Sequence, residues 1–296
     1  MSLLSNTQGS PEREWSVLAG LAVFGDQPRD ELEAVLNPGS LKPDVATLVN
    51  IANVRQVISA ASSLGAVGGD RSSTSTDVDL PALSDEVAIS DWVHDKLCAL
   101  GPESKDAVIL EAYAWFSARS GQTGSTSWVY ELSPDAFADA AAAGLVGEDD
   151  DGGKRMNREK VVAWRRWLIF LGLAVSMPSP WPPQPVPTAR IAREIARSNV
   201  SGSEVAAGDF LNLLARRMPY LDRGHLYLQA CNRLGWKPDP RQLSPVLSTA
   251  LRELHDEGVM QLKQSGDSPD VVALSVDQPH LLGGFDTIFF PKMVSG

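Results

Sequence analysis

The chain has 296 residues, 43% of them hydrophobic and 21% charged, with a formal net charge of −11. That composition excludes disorder throughout and allows two or three domains of about 100 residues each. No run reaches the ~20 apolar residues of a membrane helix, Met1 to Glu14 lacks the basic-then-apolar order of a secretory signal, and Cys98 and Cys231 are too few and too far apart for a disulfide framework.

A cytoplasmic protein without membrane attachment is therefore expected. The acidity argues against a generic nucleic-acid coat protein, but only as an average. Taken in windows, residues 1–80 carry a net −5, residues 81–150 a net −10, residues 151–200 a net +6 and residues 201–296 a net −2. The positive window holds Lys154, Arg155, Arg158, Lys160, Arg165, Arg166, Arg190, Arg193 and Arg197, and it follows the acidic run Glu148-Asp149-Asp150-Asp151. Two solvated faces of opposite sign account for such a pattern as readily as a binding surface does.

In chain order, the first helical patterns run over Glu12–Phe24 and Arg29–Leu36, with Pro38 as a stop. A third leads from Val54 to Leu64, ends at Gly65 and runs into the apolar pair Ala66-Val67. A polar excursion follows, Gly68-Gly69-Asp70-Arg71-Ser72-Ser73-Thr74-Ser75, and then Val78 and Leu80. The middle of the chain repeats this order. Helical patterns over Ser104–Ala118 and Pro134–Ala143, the latter ending at Gly144, precede a helix from Val161 to Leu171, then Gly172 and Leu173-Ala174-Val175. The proline-rich Met177-Pro178-Ser179-Pro180-Trp181-Pro182-Pro183 comes next; proline cannot donate to a ladder, so this excursion belongs at a sheet edge or outside it. The last third repeats the order again, with helices over Glu204–Leu221 and Arg223–Leu234 and a third from Leu247 to Leu254 that ends at Gly258. Val259-Met260, a polar tip over Gln264–Asp270 and Val271–Leu274 then read as a β-hairpin.

Aligned on Gly65, Gly172 and Gly258, apolar positions coincide: Val54, Val161 and Leu247, then Val57, Trp164 and Ala250, then Ala61, Leu168 and Leu254. Spacings of three and four put them on one helix face, and the glycine is the expected left-handed residue that ends the helix. The chain thus reads as mainly α with short β-hairpins, three tandem units of the winged-helix form of the helix-turn-helix, over residues 1–80, 81–188 and 189–296. A helical bundle with incidental hairpins is the alternative.

In winged-helix domains the third helix often enters the major groove. The first unit's third helix carries only Arg55, and the last sets Arg252 against Glu253, Asp256 and Glu257. The middle one carries Arg158, Lys160, Arg165 and Arg166, so double-stranded DNA is expected there, with Lys154, Arg155 and Arg190 as further phosphate contacts. Trp167, Trp181 and the apolar Phe285, Phe289 and Phe290 are candidates for protein partners; a final strand docked on the last unit explains the C-terminal phenylalanines equally well.

Catalytic patterns fail on inspection. Gly147 to Arg155 is one residue too long for a phosphate loop, has Arg155 where a magnesium-binding hydroxyl belongs, and would repel a triphosphate with four carboxylates. His94, His225, His255 and His280 are scattered, so neither a zinc site nor any other metal site is expected. His94 and Cys98 share a helix face without a third group to complete a nucleophile. No catalytic residue and no cofactor are expected.

Three short motifs, Met1-Ser2-Leu3-Leu4, Leu36-Asn37-Pro38 with Ser40-Leu41, and Leu64-Gly65-Ala66-Val67, resemble the DpdG family of bacterial gene clusters that insert 7-deazaguanine derivatives into DNA. They fall within residues 1–67, about a quarter of the chain. The resemblance implies an accessory or regulatory subunit that works with enzymes encoded beside it in protection against foreign DNA, and it carries over no catalytic residue. A non-enzymatic DNA-binding or protein-bridging accessory is thus the leading expectation, with protein partners from the same system. A transcriptional regulator, or an enzyme subunit completed by a partner, are the alternatives.

Overall fold

The computed structural model describes residues 3–4, 10–36, 52–69, 73–76, 85–147, 152–179, 181–266, 268–277 and 280–292. Expectations resting on Met1, Ser2, residues 37–41, Asp70–Ser72, Val78, Leu80, the acidic run 148–151, Pro180 and Asp267 lie outside the described residues. The fold is mainly helical, 53% helix, with a few short antiparallel strands, which is the class the periodicity predicts. Among the described residues no helix is long and apolar enough to cross a membrane. The chain divides into two compact units, residues 1–109 with 158–171, and residues 110–157 with 172–296. This is a different partition from the three consecutive repeats.

In the first unit, α1 (Pro11–Phe24), α2 (Arg29–Leu36) and α3 (Ala52–Ser63) pack on one another in pairs. α1 starts with proline at its first turn, where the missing N–H costs nothing, and buries Val17, Leu18 and Leu21. α3 buries Val57, Ile58, Ala60 and Ala61. It closes at Gly65 (φ 70°), where Ala66 N–H donates to the Ala61 carbonyl, six residues closing on the first as in a Schellman cap. A two-stranded hairpin follows, β1 (Gly68–Gly69) and β2 (Thr74–Ser75). Gln27, between α1 and α2, bridges antiparallel to Thr74, so the lateral order is Gln27, β2, β1. The unit also contains α4 (Glu86–Cys98), capped by the Asp85 carboxylate accepting from Val87 N–H at 2.9 Å, and α8 (Arg158–Phe170).

The second unit holds α5 (Val108–Thr123) from Leu110 onward, α6 (Trp128–Glu131) and α7 (Pro134–Gly144). Trp115 meets Trp128 and Phe137 edge to face, with ring centroids 5.6 and 5.7 Å apart. Gly144, at which the helical pattern is expected to end, is the last residue of α7, buried where a Cβ would collide with the Trp115 indole. The requirement there is close approach, not backbone handedness.

Beyond Gly172 lie α9 (Thr188–Ala196), β3 (Glu204–Ala206), α10 (Ala207–Arg217), α11 (His225–Arg233), α12 (Pro245–Asp256), β4 (Gln261–Lys263), β5 (Val272–Ala273), β6 (Gly284–Phe285) and β7 (Thr287–Phe289). α9 packs against α10 and α12, and a sheet of order β3-β7-β4 closes the core. Buried Ile288 on β7 stands opposite Val205 and Leu262. Two expectations are corrected here. Glu204–Leu221 is not one helix: its first three residues are β3, and α10 starts at Ala207. The last hairpin does not pair 259–262 with 271–274; β4 pairs with β7, and β5 pairs with β6. The C-terminal segment supplies the central strand β7, and Phe285, Ile288 and Phe290 along it are fully buried, which favours its docking in the core.

Candidate nucleic-acid interface

α8 buries Val161, Ala163, Trp164, Trp167 and Leu168, and Trp164 Nε1 donates to the Ile109 carbonyl at 2.9 Å. Burying five apolar side chains orients the helix, and the buried indole N–H has its acceptor. At about 100° per residue the opposite arc carries Arg165, Arg158, Ile169, Val162, Arg166 and Glu159 in angular order. Arg158, Val162, Arg166 and Ile169 are exposed, while Arg165 is half-buried. Lys160 falls on the core side of the helix and is half-buried. Three of the four expected cations therefore share one face, with two exposed apolar side chains between them.

Arg166 reaches Glu12 on α1 at 3.1 Å, both side chains being more than half exposed. Partial burial raises the Glu12 carboxyl's pKa, but hydrogen bonds from its own backbone and Ser10, together with Arg166, hold it below the usual value. Burial lowers the pKa of the Arg165 guanidinium, which stays charged. Arg158, Lys160 and Arg165 are also engaged within the protein. An exposed pair such as Arg166–Glu12 is worth about 0–1 kcal/mol, so a phosphate can take the guanidinium at little cost.

The remaining expected residues belong to the second unit. Lys154 pairs with Asp139 at 2.7 Å on the surface. Arg155 pairs with Glu111 at 2.6 Å, with only 12% and 10% of the side chains exposed, and also donates to the Val146 carbonyl. Arg190 is fully buried on α9, 3.6 Å from Glu194. Glu194, itself buried, also receives Arg197 at 3.1 Å and Arg217 at 3.0 Å. These arginines hold the fold together around two carboxylates.

The aromatic candidates separate in the same way. Trp167 is fully buried against Phe170, their rings 5.7 Å apart at 87°. Phe285 and Phe290 are buried, the latter against Phe210, and half-buried Phe289 has the Lys263 ammonium 4.8 Å from its ring. Trp181 is 57% exposed, edge-on to Tyr130 at 6.0 Å, next to the antiparallel Val175–Gln184 bridge. Cys98 Sγ lies 3.6 Å from His94 Nε2, two residues on one face of α4.

Sequence reasoning missed Val162 and Ile169, although the helical wheel of α8 already puts them among the arginines. It also missed Glu12, for which a partner 154 residues away leaves no local signal. Neither a curated protein nor a solved structure matches the chain. A family model described as DpdG-like matches residues 1–268, most of the chain, so this protein belongs to the DpdG-like family.

Proposed function

We propose that the protein is a non-enzymatic accessory component of a DNA-modification system, built on winged-helix units, and that it contacts duplex DNA through the outer face of α8. Family membership supports the setting. The winged-helix reading rests on an order that occurs twice. In the first unit it is α1, the Gln27 bridge, α2, α3, β1, β2; in the second it is α9, β3, α10, α12, β4, β7. In both, the last strand lies between the other two. The order of a winged helix is the same: helix, strand, two helices, then a hairpin whose second strand pairs with the first. The observation that carries the DNA contact is the arc of Arg158, Arg165 and Arg166. At the C-terminal end of α12, exposed Asp256 and the capping Glu257 would repel a phosphate backbone, and half-buried Glu253 accepts from Thr188 Oγ1.

The test is binding of labelled duplex DNA across a salt series. Each phosphate contact contributes about −0.9 to the slope of log K against log salt, so Arg165→Ala with Arg166→Ala should flatten it by about 1.8. No binding at low salt, or an unchanged slope in the double variant, would refute the DNA contact. A second reading has support of its own: Val162 and Ile169 are 52% and 38% exposed within the same arc. Exposed apolar side chains flanked by arginine suit a protein partner, and a bridging role would survive loss of the DNA contact.

A further inference from the structure

Against the minimal helix-strand order, the second unit carries two insertions. One is α11 with the loop to Leu243, placed between α10 and α12; the other is the β5–β6 hairpin, placed between β4 and β7. They are joined to each other: Ala273 N–H donates to the Arg241 carbonyl at 2.7 Å, and Leu243 N–H donates to the Ala273 carbonyl at 2.9 Å. They are also anchored to the core. Buried Asp222 accepts from both Ser244 N–H and Ser244 Oγ at 2.7 Å, at the start of α12. Arg252 of α12 donates to the Ser275 and Leu282 carbonyls. Between the insertions and the start of α10 lies a cleft of about 690 Å³, within the range of ligand sites.

The lining of this cleft differs from the basic helix in one respect. The cations around α8 and α9 are engaged within the protein. In the cleft, Asp209, Asp239 and Asp270 are exposed, and among the described residues none of the three makes an ion pair. Apolar Leu228, Pro238 and Val271 also line it. Arg241 is also exposed at the cleft, and Arg223 donates to the Pro240 carbonyl. Three unpaired carboxylates outweigh these two guanidiniums, one of which is committed to the backbone.

We infer that the cleft binds an extended, lysine- or arginine-bearing segment of a partner protein. Apolar side chains of that segment would meet Leu228, Pro238 and Val271, and its cations would meet the three carboxylates. Charge complementarity selects this occupant over nucleic acid, whose phosphates the same carboxylates repel. The inference does not depend on the DNA contact at α8.

The test is titration of the full chain with a synthetic peptide alternating leucine with lysine, against one alternating leucine with glutamate. Because the whole protein is acidic, a charge-matched control is needed. The cleft variant is Asp209→Asn, Asp239→Asn and Asp270→Asn; the control is Asp26→Asn, Glu86→Gln and Glu103→Gln, exposed positions outside the cleft. The Asp239→Asn change keeps a side-chain oxygen to accept from the Arg241 backbone N–H, which donates to the Asp239 carboxylate at 2.8 Å, and melting temperature reports on folding. The cleft variant should lose at least about tenfold in affinity for the basic peptide, the control less than about twofold. Leu228→Arg, which places a cation in the cleft without removing an acid, should also abolish binding. Equal losses in the two triple variants, preference for the acidic peptide, or no binding by the wild type would each overturn the inference. Failure here leaves the salt-dependence test of α8 untouched, and the reverse also holds.

Discussion

Arg155 lies in the most basic stretch of the chain and would be an obvious choice for a DNA-binding variant. Its geometry gives it another task. The Arg155 guanidinium is 2.6 Å from the Glu111 carboxylate and 2.8 Å from the Val146 carbonyl, and about a tenth of each partner side chain is exposed. Arg155→Ala leaves Glu111 largely out of water without its directly bonded partner, with only the coulombic influence of Arg233 remaining. Breaking a buried pair costs about 3–5 kcal/mol, and the residual exposure places this one near the low end, about 3 kcal/mol. At about 2–4 °C per kcal/mol for a unit of this size, the melting temperature should fall by about 6–12 °C. Adding Glu111→Gln to Arg155→Ala removes the stranded charge and should recover about half of the loss, a coupling of about 1–3 kcal/mol in a double-mutant cycle. The assay is thermal unfolding of the four proteins at neutral pH, with the DNA salt slope measured alongside. That slope should be the same in Arg155→Ala as in the wild type, because the guanidinium is already committed. A melting temperature within a degree of the wild type, strict additivity of the two changes, or a slope flattened by about 0.9 would refute this reasoning.

Other consequences are equally direct. Gly144→Ala drives a methyl group into the Trp115 indole, which is 1% exposed and held by Trp128 and Phe137; a loss of about 1–3 kcal/mol is expected, read as a lower melting temperature and an altered near-ultraviolet signal, and an unchanged melt would contradict the packing. Glu14 is buried with no hydrogen-bond partner for either carboxyl oxygen, and burial, with the nearby Asp106 carboxylate, pushes its pKa well above 4.5. The folded state then holds a proton that the unfolded state releases above about pH 4.5, so this group lowers stability progressively as pH rises from there toward the folded value. Glu14→Gln should therefore stabilise the protein by an amount that grows as pH rises above about 4.5 and levels off at the folded value; a gain independent of pH would show that the carboxyl is not titrating. Trp181→Ala should leave the melting temperature nearly unchanged, within about 0.5 kcal/mol, because its ring is 57% exposed, and a large drop would mean that the hairpin depends on it.

Local signals carried the parts of this fold that depend on neighbours in sequence. Gly65, Gly172 and Gly258 all have φ between 70° and 73°, as helix-ending glycines require, and Val57, Trp164 and Ala250 all face the interior. The bounds of α2 match the expected ones. What the periodicity missed depends on distant segments. β3 looks like the first turn of α10 until β7 arrives from more than eighty residues away to pair with it. α9 escaped notice because Arg190 and Glu194 look like surface residues, yet both are buried on the helix beside Ile191 and Ile195, with partly exposed Arg217 closing over Glu194. Lys154, Arg155 and Arg166 of the basic window pair with acids 15, 44 and 154 residues away and Arg190 and Arg197 with nearby Glu194, so counting charges overstated what is left for a ligand. The cleft was not visible from the repeat pattern; it would have been signalled by asking where the last repeat is longer than the first.

The first unit is completed by α8, which follows residues 110–157 of the second unit along the chain. Neither unit is a continuous stretch, and the polypeptide passes from one to the other three times. During synthesis, the first unit lacks its tryptophan-rich helix until about residue 171 has emerged, by which time part of the second is already waiting for its own remainder. Folding of the two is thereby interlocked in time. Truncation at residue 80 or 188, the boundaries suggested by the repeats, would yield fragments that each lack part of a unit, so function is better mapped by point substitution in the intact chain.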